Sequence, residues 1–101
     1  MAEFSIQGTL SITGTVLYTG AIGGALLSKI TNLRFNNPLV YTIQLYKYEA
    51  ATTTTTLIYN LSLSAGDTIT DNFTYALNPG DQLIAYSNIV GTTYYAYGIT
   101  Y

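Results

Sequence analysis

The sequence predicts an all-β protein, an antiparallel β-sandwich of jelly-roll or Greek-key type with seven to nine short strands. Apolar and polar residues alternate with a period of two along most of the chain, which is typical of strands with one buried face. Turn-forming residues recur every 8 to 14 positions, and no apolar pattern of helical period persists. Because 101 residues is the length of one domain, we expect residues 1–101 to form a single sandwich.

The N-terminal segment predicts the first two strands. In residues 4–12 the even-numbered positions are apolar or glycine, Gly14 permits a bend, and residues 15–18 are again extended in character. Paired glycines predict a loop at residues 20–24. Residues 1–24 are therefore expected to be either first strands or an N-terminal arm, in contact with a neighbouring subunit.

Two longer strands are expected next. The apolar residues of segment 26–35 change parity, so we expect a β-bulge near Ser28. The sequence Asn36-Asn37-Pro38 predicts a turn. Residues 39–48 give the clearest alternation. The residues expected on the buried side of that strand are Leu39, Tyr41, Ile43 and Leu45.

The next strand is expected to bury alternate residues between positions 57 and 63. Those residues are Leu57, Tyr59, Leu61 and Leu63. The run of threonines at 52–56 predicts either a hairpin loop or an extension of both flanking strands. Two turns of the same form follow, in which glycine supplies a positive φ and aspartate bonds to nearby backbone amides. The residues expected to form these turns are Gly66, Asp67, Pro79, Gly80 and Asp81.

The remaining segments predict the last strands. Between the two turns the alternating apolar residues are Ile69, Phe73, Tyr75 and Leu77. Residues 82–87 predict a short strand. A final strand follows Gly91, and the residues that share one parity in it are Tyr95, Tyr97, Ile99 and Tyr101.

The composition excludes several classes of chemistry. The sequence contains no histidine and no cysteine, which removes Ser-His-Asp and Cys-His nucleophiles, zinc fingers, His-ligated metal centres and disulfides. No catalytic motif is present, so we expect no enzyme activity and no cofactor. A third hypothesis, a small enzyme, would depend on the carboxylates alone.

We expect neither nucleic acid nor a membrane as a partner. Three scattered basic residues cannot neutralise a run of phosphates. No apolar stretch reaches 18 residues, and the N-terminus lacks the basic region and apolar core of a secretory signal. Synthesis and assembly are therefore expected in a cytoplasm.

Asp67 and Asp71 are the carboxylates best spaced for chemistry. Since they are four residues apart, they would share one side of a strand and could bind Ca²⁺ or flank a glycosidic bond. The alternative is that Asp67 belongs to its turn and Asp71 is a solvated strand residue.

Tyrosines form the second group of candidate residues. Tyr46 and Tyr48 lie opposite the expected core face of their strand, and Tyr94 lies opposite Tyr95 and Tyr97. These side chains suit a subunit interface, cross-strand pairs on an outer face, or a platform for sugars or bases. The candidate interface residues are Tyr46, Tyr48, Tyr94, Tyr95 and Tyr97.

The scarcity of charge favours self-association. Charged residues make up 8% of the sequence, whereas an average soluble protein has about 25%. Edge strands normally carry charge that blocks pairing between sheets. Because this chain has little such protection, we expect its edges to be covered in a symmetric homo-oligomer.

The order of strands and turns also carries a resemblance. Two apolar strand segments, 25–32 and 41–46, precede residues 61–67, with Ala65-Gly66-Asp67, and residues 77–83, with Pro79-Gly80-Asp81. In this order they resemble small β-sandwich structural proteins of tailed-bacteriophage virions, over about residues 25–101.

The resemblance implies a virion structural role without catalytic residues. It favours an auxiliary or decoration protein of the capsid, with a tail, neck or fibre component as the alternative. The implied location is the virion, assembled in the bacterial cytoplasm, and the implied partners are other copies of the chain and the major capsid protein. A second hypothesis is a carbohydrate-binding module that uses exposed tyrosines.

Overall fold

The computed structural model describes residues 2–20 and 27–101, and it confirms an all-β fold. Most of the predicted loop at residues 20–24 and the start of the predicted strand at residue 26 lie outside the described residues. The strands are β1 (Ala2–Thr9), β2 (Thr15–Thr19), β3 (Ser28–Asn36), β4 (Tyr41–Glu49), β5 (Thr54–Leu63), β6 (Thr68–Asp71), β7 (Tyr75–Leu77), β8 (Gln82–Ser87) and β9 (Thr93–Thr100).

The nine strands form two antiparallel sheets. Sheet A has the order β1-β9-β3, and β6 and β7 both pair with the far side of β3. Sheet B has the order β2-β8-β4-β5. Since β6 and β7 share one strand position, the sandwich has eight positions in two four-stranded sheets. The chain passes from one sheet to the other at every connection between positions except the β4–β5 hairpin. This topology is that of a jelly roll.

The core lies between the two sheets. Strand β3 contributes Ile30, Leu33 and Phe35, and strand β4 contributes Tyr41 and Ile43, all of them buried. Side chains from both inner faces interdigitate in this way in aligned sandwiches. The other buried apolar residues are Leu10, Leu17, Leu45, Ile69, Tyr75, Leu77, Leu83, Ala85 and Ala96.

Strand β3 contains the expected bulge at a different residue. Its pairing with β9 shifts between Ile30 and Asn32, so the extra residue is Thr31 and not one near Ser28. Ser28 itself pairs regularly with both Leu77 and Thr100 and is buried. The parity change was visible in the sequence, but its place depended on the partner strand.

Three residues of the alternating apolar sets lie outside the paired strands and are exposed. Ile12 lies in the turn between β1 and β2, Leu39 lies in the bend before β4, and Phe73 lies in the break between β6 and β7. The expectations were wrong because alternation continues in sequence past the point where strand pairing ends. Only paired residues are held on one face of a sheet.

Strand β5 combines both alternatives for the threonine run. Residues 50–53 form the turn, whereas Thr54, Thr55 and Thr56 belong to β5 and pair with β4. The register shifts so that Tyr59 faces Leu45 but Leu57 faces Tyr46, which leaves the intervening residue as a bulge. Leu57 is consequently exposed on the outer face, and its expected burial was wrong.

The first strands belong to the sandwich. β1 pairs along its whole length with β9, from Ala2 opposite Thr100 to Thr9 opposite Thr93. β2 pairs with β8. Contact of this segment with a neighbouring subunit stays a prediction. Among the residues that the structure describes, no helix has the length and apolarity needed to cross a membrane.

Candidate interaction surfaces

Asp67 and Asp71 take part in different hydrogen-bond networks. Asp67 lies in the turn after β5, where its amide donates to the carbonyl of Ser64 at 3.1 Å. Its own carbonyl accepts a 2.5 Å hydrogen bond from the hydroxyl of Tyr41. Asp67 therefore has a structural role in its turn, and Asp71 has a separate role.

Asp71 accepts hydrogen bonds from three sides. The hydroxyls of Tyr59 on β5 and Tyr75 on β7 donate to Oδ2 at 3.0 and 2.5 Å, and the amide of Phe73 donates to Oδ1 at 2.9 Å. Burial, together with the adjacent Asp71 carboxylate, raises the pKa of both tyrosines well above the ordinary value of 10.0. The alternative of a solvated Asp71 was wrong, because this carboxylate joins the edges of the two sheets.

Gly66, Pro79 and Gly80 lie in the turns that follow β5 and β7. Gly66 and Gly80 have φ angles of 78° and 86°, a region that residues with a Cβ rarely enter. Asp81 is buried, and its carboxylate accepts bonds from the amides of Asn78 at 3.1 Å and Ala50 at 3.0 Å. It thus ties the Pro79-Gly80 turn to the β4–β5 hairpin, a link that the sequence did not indicate.

The candidate tyrosines do not form one surface. Tyr95 and Tyr97 point outward from sheet A, and Tyr46 and Tyr48 point outward from sheet B, on the opposite side of the sandwich. Tyr94 is half-buried and packs against the core, and its place in an interface stays a prediction. Alternation along β9 separates Tyr94 from Tyr95 and Tyr97. Because both sets contain tyrosine, the sequence did not indicate which set faces outward.

The outer face of sheet A is concave at one end. A depression of about 510 Å³ lies there, with the Tyr95 ring and the exposed Arg34 side by side on paired strands. Amide and hydroxyl side chains from β1, β3, β6 and β9 complete it. These are Gln7, Thr9, Asn36, Thr68 and Thr93.

The outer face of sheet B carries an aromatic cluster. The rings of Tyr46 and Tyr86 meet edge to face, with centroids 5.4 Å apart. The hydroxyl of Tyr46 donates to Gln44 at 3.4 Å, and Ile84 lies beside both rings. Part of the tyrosine content of this face is therefore used for cross-strand packing.

An apolar groove opens along the side of the sandwich where β5 faces β6 and β7. It has a volume of about 410 Å³. Leu61 and Phe73 on its rims are 43% and 69% exposed. Its other lining residues include Ile58, Ile69 and the tyrosines bound to Asp71. The sequence predicted Leu61 on the buried side of its strand and Phe73 among alternating apolar residues, so this groove was not predicted.

Strand β5 is the edge of sheet B beside this groove. At 10 residues it is the longest edge strand in the described structure, against eight for β1 and five for β2. Its residues, Thr54–Leu63, include no charged side chain, proline or glycine. An uncharged edge without proline is the kind that pairs with a further strand.

No protein-family model and no curated protein matches the sequence. A solved structure described as Bacillus endospore appendages, "a novel family of disulfide-linked pili", is similar with a TM-score of 0.58 and 16% identity over 99% of this chain and 84% of that one. A structure of infectious bursal disease virus, Gx strain, has a TM-score of 0.36 and 12% identity over 97% of this chain and 31% of that one. The likeness to the appendage protein shows a shared fold.

Proposed function

We propose that this protein is a non-enzymatic structural subunit that acts through contacts with other copies of itself. The observation that carries the proposal is the uncharged 10-residue edge strand β5 beside an exposed apolar groove. A free monomer would leave both the strand's backbone groups and the groove in water. Pairing with another subunit satisfies both at once.

The fold supports a role in an assembly. The similar appendage structure is described as a pilus, which is built of many subunits, and the likeness extends over nearly all of this chain. That pilus is described as disulfide-linked, whereas the 101 residues here contain no cysteine. The contacts proposed for this protein are therefore noncovalent, and their number rather than their individual strength holds the assembly together.

Within this class we propose an auxiliary or decoration protein on the capsid of a tailed bacteriophage, with a tail, neck or fibre component as the alternative. The support is the order of strands and turns over residues 25–101. The partners would be other copies of the chain and the major capsid protein, in the virion. The site residues proposed for these contacts remain Tyr46, Tyr48, Tyr95 and Tyr97, on both outer faces.

The first experiment measures the mass of the purified chain in solution by light scattering. The expected result is a defined multiple of 11.0 kDa at micromolar concentration. A monomer of 11.0 kDa at every concentration contradicts self-association. Mass spectrometry of purified virions that carry the gene then tests the finer proposal, which fails if the protein is absent from them.

A carbohydrate-binding module is the second candidate function. The concave end of sheet A favours it, because the Tyr95 ring lies there beside Arg34, Gln7 and Asn36, which can bond to sugar hydroxyls. A monodisperse monomer that binds a polysaccharide, and loses binding in Tyr95→Ala, supports this candidate against the first. A stable oligomer that binds nothing on a glycan array excludes it.

A further inference from the structure

We propose that β5 is the subunit contact and that it pairs antiparallel with β5 of a second copy, centred on Leu61. This inference rests on the proposed function and names the surface that carries it. Sheet B would then continue across a twofold axis from one subunit into the next.

The regular part of β5 follows its bulge. From Tyr59 to Leu63 the strand pairs with β4 without interruption, from Leu45 opposite Tyr59 to Tyr41 opposite Leu63. Five consecutive residues of β5 are thus paired with β4 along one edge, and in the described structure no strand pairs with their other edge. A strand in this state is a template for addition of a further strand.

The segment is complementary to itself when it pairs antiparallel about Leu61. When Leu61 faces Leu61 of the second copy, Tyr59 faces Leu63 on the inner side and Asn60 faces Ser62 on the outer side. Apolar residues then meet apolar residues, and polar residues meet polar ones. A shift by one residue would bring the two inner faces to opposite sides of the joint sheet, so this parity is required.

The same register covers the groove. In a continuous sheet the inner faces of both copies lie on one side, so their two grooves meet around the twofold axis. Leu61 and Phe73, which are 43% and 69% exposed in one subunit, come to lie at the centre of the contact. The proposed partner, a second copy, therefore removes from water the apolar surface that the sandwich leaves open.

The other edges in the described structure suit this contact less well. β1 carries Glu3 and Gly8, β2 has five residues with a bulge between Val16 and Tyr18, and the edge formed by β6 and β7 is broken at residues 72–74. β5 also has a bulge, but five of its residues continue regularly beyond it. Charge, bulges and breaks are the features that keep edge strands unpaired. The pairing at β5 is also closed, because each copy uses the same strand, and it therefore gives a dimer.

A charge-swap experiment tests the pairing of β5 with β5. The double variant Asn60→Lys/Ser62→Lys places like charges opposite each other, and we expect the dimer dissociation constant to rise at least 100-fold. Asn60→Asp/Ser62→Asp should do the same, and an equimolar mixture of the two variants should restore dimers. Val90→Lys, at a 73% exposed residue in the turn between β8 and β9, is the matched control and should dimerise like the wild type.

A cysteine variant tests the axis itself. Opposed residues in antiparallel strands have Cα atoms about 4.5–5.5 Å apart, within the range of a disulfide. Because the chain contains no other cysteine, Leu61→Cys should form a covalent dimer in diamide, while Val90→Cys should remain a monomer on a denaturing gel.

The outcomes separate this inference from the function on which it rests. Wild-type protein that is monomeric at every concentration overturns both. An oligomer of unchanged mass in the two double variants overturns the β5 contact only, and so does a loss of oligomers in Val90→Lys alone. Monomers in each double variant with dimers in their mixture establish the pairing. Circular dichroism of each variant checks that it is folded.

Discussion

Two carboxylates in this protein link separate strands and turns through hydrogen bonds. Asp71 joins β5, β6 and β7 through three hydrogen bonds, two of them from tyrosine hydroxyls. Asp81 does the same for two turns through backbone amides. With only five carboxylates in the sequence, these two accept hydrogen bonds from donors most of which are partly buried, and a neutral acceptor would bond those donors less strongly.

Tyr59→Phe should alter stability in a pH-dependent way. The folded-state pKa of Tyr59 lies above its unfolded value of about 10, so its contribution is complete below pH 10 and is lost as pH rises further. Loss of the bond to Asp71 should lower the free energy of unfolding at pH 7 by about 1.5 kcal/mol. Above pH 10 the free energy of unfolding should fall less steeply with pH in the variant than in the wild type, by about 1.4 kcal/mol per pH unit.

Urea unfolding between pH 7 and 11.5 measures both effects. Tyr48→Phe, on the outer face of sheet B, is the matched control for the loss of a tyrosine hydroxyl and should keep the wild-type free energy of unfolding at pH 7. An unchanged alkaline slope in Tyr59→Phe would show that Tyr59 does not hold its proton in the folded state.

The strands of sheet A are fitted to one another by small residues. Gly98 on β9 pairs with Phe4 on β1 and Ile30 on β3. A Cβ at this position would collide with the carbonyl oxygen of Lys29 and lie 2.5 Å from Cζ of Phe4. Phe4 itself stacks on Tyr18 of β2 at 4.5 Å between ring centroids, so it joins the first two strands across the sandwich.

Gly98→Ala should therefore lower the free energy of unfolding by about 2–3 kcal/mol, since the backbone of β3 must move to admit a methyl group. Gly8→Ala on β1 is the graded control. There a Cβ would meet the side chain of Tyr94 at 3.0 Å, and a side-chain tip can move away. Equal losses in both variants, measured by urea unfolding, would contradict the argument from backbone contact.

The whole molecule is a jelly roll that closes its core well on one side and incompletely on the other. Along the side formed by β1 and β2, the stacked rings of Phe4 and Tyr18 fill the space between the sheets. Along the side formed by β5, β6 and β7, the Asp71 cluster bridges the sheets but leaves an apolar groove. One side of the sandwich is therefore closed, and the other leaves apolar surface exposed.

Stability of the wild-type protein should depend on its concentration. If folding and pairing are linked, the urea midpoint should rise as protein is increased from 1 to 100 µM, because association draws on the folded state. The Asn60→Lys/Ser62→Lys variant should show a midpoint independent of concentration. A constant midpoint for a wild-type oligomer would mean that association does not stabilise the subunit.

The sequence predicted where most strands lie along the chain, but it did not predict which strand forms the edge of a sheet. Gln82–Ser87 was expected as a strand with those bounds, and the alternation of β4 predicted three buried residues. Leu61 alternates just as they do. It is half exposed because β5 has a neighbour on one side only, and that depends on pairings between segments distant in sequence.

The sequence by itself determined the all-β class, the two aspartate-containing turns and the shortage of charge. Each of these follows from local spacing, local backbone preference or composition. The tertiary structure alone decided that Tyr94 faces inward and Tyr95 outward. It also decided that Asp71 links the two sheets by hydrogen bonds, and that Leu61 and Phe73 line a groove. Alternation defines two faces of a strand, but packing between sheets decides which one is buried.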